Sequence, residues 1–185
     1  MAPNYVGTFT GKRVSVLDPQ VEDINILDIA HALSMSNRFN GHTKRPYTIL
    51  QHSLATMHRL RDLEYSLTIQ LVGLLHDAAE AYLGDIVSPV KQYLTEFQVI
   101  EDRMLRTILS KAGLMIPPGS ILPVAVIQAD SEMLISEIHH YMTEETLRNC
   151  FPAFLDTKPY HSAKYQFPAN SVDTFLSEYY DLGGE

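Results

Sequence analysis

At 185 residues and 45% apolar side chains, the chain is long enough for one domain with a real core, and its composition is ordinary for a globular protein. A formal net charge of -8 argues against a broad surface for a nucleic acid polymer, while an anionic small substrate stays allowed because a few local cations and a metal can outweigh the global field. The only cysteine, Cys150, excludes an internal disulfide framework and any cysteine-based zinc cluster, and fits a reducing, cytoplasmic compartment.

No internal repeat or low-complexity linker divides the sequence, so residues 1–185 read as a single domain. The stretch MAPNYVGTFTGKR lacks the apolar core of a signal peptide, and no apolar run approaches the ~20 residues that span a membrane, so no membrane partner is expected. Residues 5–17 read as one or two short strands around Gly11. From Asp23 to Ser36, the positions of Ile26, Ile29, Ala30 and Leu33 predict a helix, followed by the polar loop NRFNGHTKRP. Thr48 is a candidate N-cap for a helix over roughly 49–63, and Ser66 for one over roughly 67–82, which Gly84 ends. Pro89 suits the start of a short helix, and 95–112 carries the apolar stripe Ile100, Met104, Ile108 and Leu109. IPPG at 116–119 is a break, and Pro123 suits the first turn of a long helix ending near Leu147. A proline-bearing irregular tail over 150–168 leads to a last helix, roughly 170–181. The fold class is all-α with a minor N-terminal β element.

The most informative feature is His76-Asp77 in the run LVGLLHDAAEAYLGDIVSPVK. An unpaired carboxylate in an apolar helix is costly to bury. A bound cation removes that cost, since imidazole and carboxylate are both metal ligands. His52 and Asp130 are the further candidate ligands. Alone, His52 reads as a satisfied core histidine and Asp130 as a surface residue; convergence with the dyad would make a His2Asp2 site with open coordination positions, as catalytic sites have. Mixed imidazole and carboxylate ligands suit one divalent transition metal, Co, Zn, Mn or Fe, without choosing among them. His139-His140 is discounted, because consecutive helical residues do not share a face.

His52, then His76-Asp77, then Asp130 resembles the H…HD…D signature of the HD-domain metal-dependent phosphohydrolases, over about residues 25–135. Glu80, Asp85 and Lys91 stand where relatives among the bacterial 5′-deoxynucleotidases carry functional residues. The loop RFNGHTKRPYTILQHS is similar to small bacterial and phage HD hydrolases, a group near the phage dATP triphosphohydrolases. The resemblance implies an HD-domain helical bundle. Dinuclear members need further histidines between the dyad and the final Asp, and this chain has none between His76 and His139, so one protein-bound metal is expected. A second, hard ion such as Mg can arrive with substrate phosphates.

Glu80, four residues after His76, would share its helical face and act as general base or water-orienting group. Asp85 is either an N-cap or, by resemblance, the proton donor to the leaving 5′ oxygen. Arg38 and Lys91 are candidate phosphate contacts. Phe39 would pack on sugar or base, where relatives use an aromatic to prefer 2′-deoxyribose; His42, Lys44 and Arg45 are further polar candidates on that loop. These readings imply hydrolysis of deoxynucleotides at the α-phosphate to the deoxynucleoside, foremost as a dATP or dNTP triphosphohydrolase and next as a 5′-deoxynucleotidase on dNMPs. The expected setting is cytoplasmic (host cytoplasm for a phage-encoded enzyme), and relatives suggest a homo-oligomer. Rivals from other classes are a nucleotide-binding sensor without turnover and an interaction module with a structural metal.

Overall fold

The computed structural model describes residues 4–115, 122–160 and 167–185. Two short antiparallel strands, β1 (Tyr5–Gly7) and β2 (Arg13–Ser15), pair Val6 with Val14. Gly11 turns the hairpin at φ 86°, a conformation only glycine adopts without strain. The hairpin is tied to α1 (Ile26–Met35), because the backbone N–H and hydroxyl of Thr10 both donate to the buried carboxylate of Asp28, at 2.7 and 2.8 Å. The minor β element at the N-terminus is thus present, and the fold is otherwise mostly helical among the described residues.

The central helix is α2 (Ile49–Asp62). Thr48 is its N-cap, as expected, and Gln51 completes a capping box: Thr48 Oγ1 accepts from Gln51 N–H at 3.2 Å and Gln51 Oε1 accepts from Thr48 N–H at 3.1 Å. Nearly every residue from Ile49 to Met57 is buried, including His52, Ser53 and Thr56, because α2 is packed on several sides. Around it stand α1, α3 (Leu67–Leu75, capped by Ser66), α7 (Val124–Tyr141) and α9 (Val172–Asp181). The main core joins Ile29 and Leu33, Leu50, Leu54 and Met57, Leu71, Leu74 and Leu75, Phe175 and Tyr179, and the stripe Met104, Leu105, Ile108 and Leu109 of α6 (Thr95–Lys111). A smaller cluster of Leu60, Val72, Val126 and Ala129 locks α2, α3 and α7 together below the site.

Two expected helices are shorter than predicted. The one expected over 67–82 stops at Leu75; residues 76–79 form tight turns, and α4 (Glu80–Leu83) follows. Through this stretch the bonds run from i to i+3: Ala78 N–H to Leu75 O, Glu80 N–H to Asp77 O, Tyr82 N–H to Ala79 O. Such winding brings residues three apart, such as Asp77 and Glu80, nearly into line along the turn. The helix expected to run to Leu147 stops at Tyr141, because Thr143 caps a new helix, α8 (Glu144–Cys150), by accepting from Thr146 N–H. A short α5 (Ser88–Lys91) follows the predicted stop at Gly84, whose φ is 82°. The break expected at 116–119 lies outside the described residues. Among those residues, no helix is long and apolar enough to cross a membrane.

Candidate metal centre and adjoining cavities

Three helical segments deliver the four predicted ligands to one point. His52 comes from the first turn of α2, His76 and Asp77 from the tight turn after α3, and Asp130 from the second turn of α7. The Nε2 atoms of His52 and His76 are 3.0 Å apart. Asp130 Oδ1 lies 3.1 Å from the first and 3.9 Å from the second. Asp77 Oδ2 lies 3.4 and 3.3 Å from the same two nitrogens. His52, His76 and Asp130 offer donor atoms that all lie within 4.8 Å of one another, a spacing that can hold an ion.

The hydrogen bonds behind the imidazoles say what the front is for. His76 Nδ1 donates to the carbonyl of Gly73 at 2.7 Å, which leaves its Nε2 with a bare lone pair. His52 Nδ1 is 2.6 Å from the buried carboxylate of Glu137, a second acceptor-only partner. A neutral His52 therefore also presents a bare Nε2, and two lone pairs facing each other at this distance repel unless a cation lies between them. The donor set fits a divalent ion. Burial and Arg38 oppose a charge on His52, yet Glu137 and Asp130 outweigh them and raise its pKa to about 10. Without metal, a proton takes the cation's place, and binding a metal must displace it. Burial acts against the ionised form of Asp77, but His76, His52 and Arg38 hold its pKa below the ordinary value.

Glu137 was absent from the sequence reading, although it lies seven residues after Asp130, on the same face of α7. It is fully buried and accepts from Tyr47 Oη at 2.8 Å, His52 Nδ1 at 2.6 Å and Arg38 Nε at 3.2 Å. Arg38 spans the centre, because its Nη1 donates to Asp77 Oδ2 at 3.2 Å. The turn carrying Arg38 is strained: Phe39 and Asn40 sit at φ 56° and 50°, in the left-handed region. Arg38 N–H to Tyr47 O and the bridge between Asn37 and Thr48 hold this turn beside the start of α2.

Two cavities adjoin the centre and share Asp77, Glu80 and Lys91. One, of about 420 Å³, is lined by Arg38, Phe39, Asp85 and Asp130, with an apolar wall from α7 and the segment after α8. The other, of about 510 Å³, is lined by His76, Gln98, Glu101, Asp102 and Leu105. Glu80 is 7% exposed and its Oε2 has no hydrogen-bond partner among the described residues. Burial, with Asp77 and Asp85 adding repulsion, raises its pKa to about 10. Asp85 does not cap α5, whose N-cap is Val87; burial raises its pKa against the pull of Arg38. Lys91 faces both cavities but is paired with Glu101 at 2.6 Å, a partner ten residues on that nothing in the sequence pattern announces. His42 is exposed and lines neither cavity, so the structure separates it from the other predicted contacts. Lys44 and Arg45 are likewise outside; Arg45 lies over the Tyr141 ring, 5.1 Å from its centroid.

No family model matches the chain. It is 35% identical over 134 residues to the uncharacterized protein YfdR of Escherichia coli K12, an alignment covering 72% of this chain and 70% of that protein. It is 34% identical over 125 residues to an uncharacterized protein of Rhodobacter capsulatus, covering 65% of this chain and 62%, less than two thirds, of that relative. Identity of this order over this much of both chains is common descent, and the chain belongs to the family of YfdR.

Proposed function

We propose that this protein is a metal-dependent phosphohydrolase of the HD-domain type, cleaving deoxynucleotides between the α-phosphorus and the 5′ oxygen. The observation that carries the reading is the convergence of His52, His76, Asp77 and Asp130 beside a cavity that also holds the buried carboxylate of Glu80, whose Oε2 has no partner among the described residues, and the cations Arg38 and Lys91. A Co, Zn, Mn or Fe ion held by the four ligands would supply Lewis-acid polarisation of a phosphoryl oxygen, and Mg accompanying the substrate would add to it. Arg38, locked by Glu137 and Asp77, presents its remaining donors to the phosphate. Lys91 adds a point charge once phosphate competes with Glu101 for it. Glu80 would orient the attacking water and take its proton once a cation held beside it lowers its raised pKa and leaves it ionised. Asp85, whose raised pKa suits a proton donor, protonates the leaving 5′ oxygen. Phe39 lines the same cavity, beside Arg38, and would meet the sugar.

Of the two forms of this reaction, the cation count favours the monophosphate. Among the described residues the cations lining the two cavities are Arg38 and Lys91, with His42, Lys44 and Arg45 outside, so a triphosphate would depend on the metal ions for the rest of its charge compensation. Release of phosphate from dNMPs is therefore the better-supported form, and release of triphosphate from dATP or another dNTP is the second. Product analysis decides. Purified protein is incubated with dNMPs, NMPs and dNTPs, with Co, Mn, Zn and Mg tested separately and Asp77→Ala as control. Nucleoside with phosphate from dNMPs makes it a 5′-nucleotidase; nucleoside with intact triphosphate makes it a triphosphohydrolase. Tight nucleotide binding with no turnover under any metal leaves the sensor reading instead. Loss of the fold on metal removal, with no turnover, leaves the structural-metal reading.

A further inference from the structure

The smaller cavity has both a charged and an apolar lining: Asp77, Asp130, Arg38 and Lys91 on one hand, Leu134, Ile138, Phe151 and Phe154 on the other. Asp130, Leu134 and Ile138 follow one another at four-residue steps along α7, so the lining passes from a candidate ligand into apolar side chains. The two phenyl rings lie within 18° of parallel, with centroids 6.2 Å apart. A break in the chain brings them there. After α8 ends at Cys150, Phe151 leaves the helix at φ -128° and ψ 46°, and Pro152–Phe154 make a single tight turn. That turn is pinned at one atom, the carbonyl of Phe154. It accepts from Thr157 Oγ1 at 2.6 Å and from His139 Nε2, reaching across from α7, at 2.8 Å. His139 thus has a job unconnected with metal. Both phenylalanines remain half-buried and face the cavity.

Phosphoester cleavage needs none of this wall. An apolar wall bearing two near-parallel rings, in a cavity that also holds Arg38 and Lys91, suits a ligand with a flat heterocycle at one end and a phosphate at the other. A cavity of about 420 Å³ is ample for it, being inside the ~300–1,000 Å³ range of small-molecule sites. Resting on the phosphohydrolase reading above, we propose that Phe151 and Phe154 are the nucleobase-binding end of the site. The base packs against the phenyl pair while the 5′-phosphate faces His52, His76, Asp77 and Asp130. Aromatic contact of this kind recognises a base by its face, so it tolerates different bases and rejects substrates without one.

The test compares dAMP with 2-deoxyribose 5-phosphate, the same phosphoester without a base, using the metal-loaded full chain. Phe151→Ala and Phe154→Ala are each expected to lower the ratio of kcat/KM for dAMP to that for the sugar phosphate about ten-fold, the size of one lost base–aromatic contact. Phe154→Tyr keeps a ring and is expected to keep the ratio. Phe154→Leu keeps most of the volume and is expected to lower it, which separates stacking from folding. An unaltered ratio in Phe154→Leu and both alanine variants overturns the proposal. If the wild type turns over neither compound, the phosphohydrolase reading fails by itself, and calorimetric titration with dAMP decides the subsite. A Kd weakened about ten-fold in the alanine variants upholds it; an unchanged Kd, or no binding to the wild type, overturns it.

Discussion

Glu137→Gln tests whether the centre is held from behind by one carboxylate. The substitution keeps the size of the side chain and removes its charge. In the native protein Oε1 accepts from both Tyr47 and His52, and Oε2 accepts from Arg38 Nε. A glutamine can place its oxygen at only one of these positions. With oxygen toward Tyr47 and His52, its NH2 meets Arg38 donor to donor, and the buried guanidinium keeps Asp77 alone as an anionic hydrogen-bond partner. An unsatisfied buried donor costs about 1–3 kcal/mol, and breaking a buried ion pair about 3–5 kcal/mol. A net loss of about 3 kcal/mol corresponds to a fall in Tm of roughly 6–12 °C for a chain of this size. The metal effect is separate, because an outer carboxylate that orients a ligating histidine typically contributes 10–100-fold in affinity. The assays are thermal unfolding with chelator, and competition for Zn or Co against a chromophoric chelator. A Tm within about 2 °C of the wild type, together with metal affinity within about three-fold, would refute the reasoning.

Three further outcomes are expected. Saturating divalent metal raises the wild-type Tm, since binding to the native state at 100 times Kd contributes about 2.7 kcal/mol; in His52→Ala and His76→Ala the rise is lost, as a titration monitored by calorimetry will read. Gly73→Ala puts a Cβ 2.3 Å from Leu60 Cδ1 and 3.7 Å from Met57 Cα, where α3 crosses α2, so urea unfolding should report a loss of about 1–3 kcal/mol; a midpoint equal to wild type would mean that Leu60 moves aside freely. Arg61 and Glu178 join α2 to α9 through paired bonds at 3.0 and 2.6 Å, and Arg61, with His58 adding to it, holds the Glu178 carboxyl below its ordinary value. That stability is present above the unfolded pKa near 4.5 and is lost as pH falls through the lower folded value. Arg61→Ala should flatten the acid limb of a stability-versus-pH curve by at most about 1 kcal/mol, as Arg61 is partly exposed, and leave neutral-pH activity intact.

Much of this protein was legible in its sequence because the information is local. Thr48, Ser66 and Gly84 punctuate helices by hydrogen bonds and backbone freedom within a few residues. His52, His76, Asp77 and Asp130 were readable as candidate metal ligands because a histidine-carboxylate pair in an apolar run has few other uses. Where each helix stops proved harder. The turn over residues 76–79 is tightened by bonds from Ala78 N–H to Leu75 O and from Glu80 N–H to Asp77 O, while the helical periodicity of the sequence continues through it unchanged. Tertiary structure alone decided the partners that act at long range. Glu137 reaches His52 across 85 residues, Lys91 is claimed by Glu101 of another helix, and Phe154 is held in the cavity wall by His139. It also left His42 in solvent. Chain spacing dictates which side chains share a face; which faces meet depends on how α2, α3 and α7 bury their apolar sides together, and that packing turns separated residues into a site.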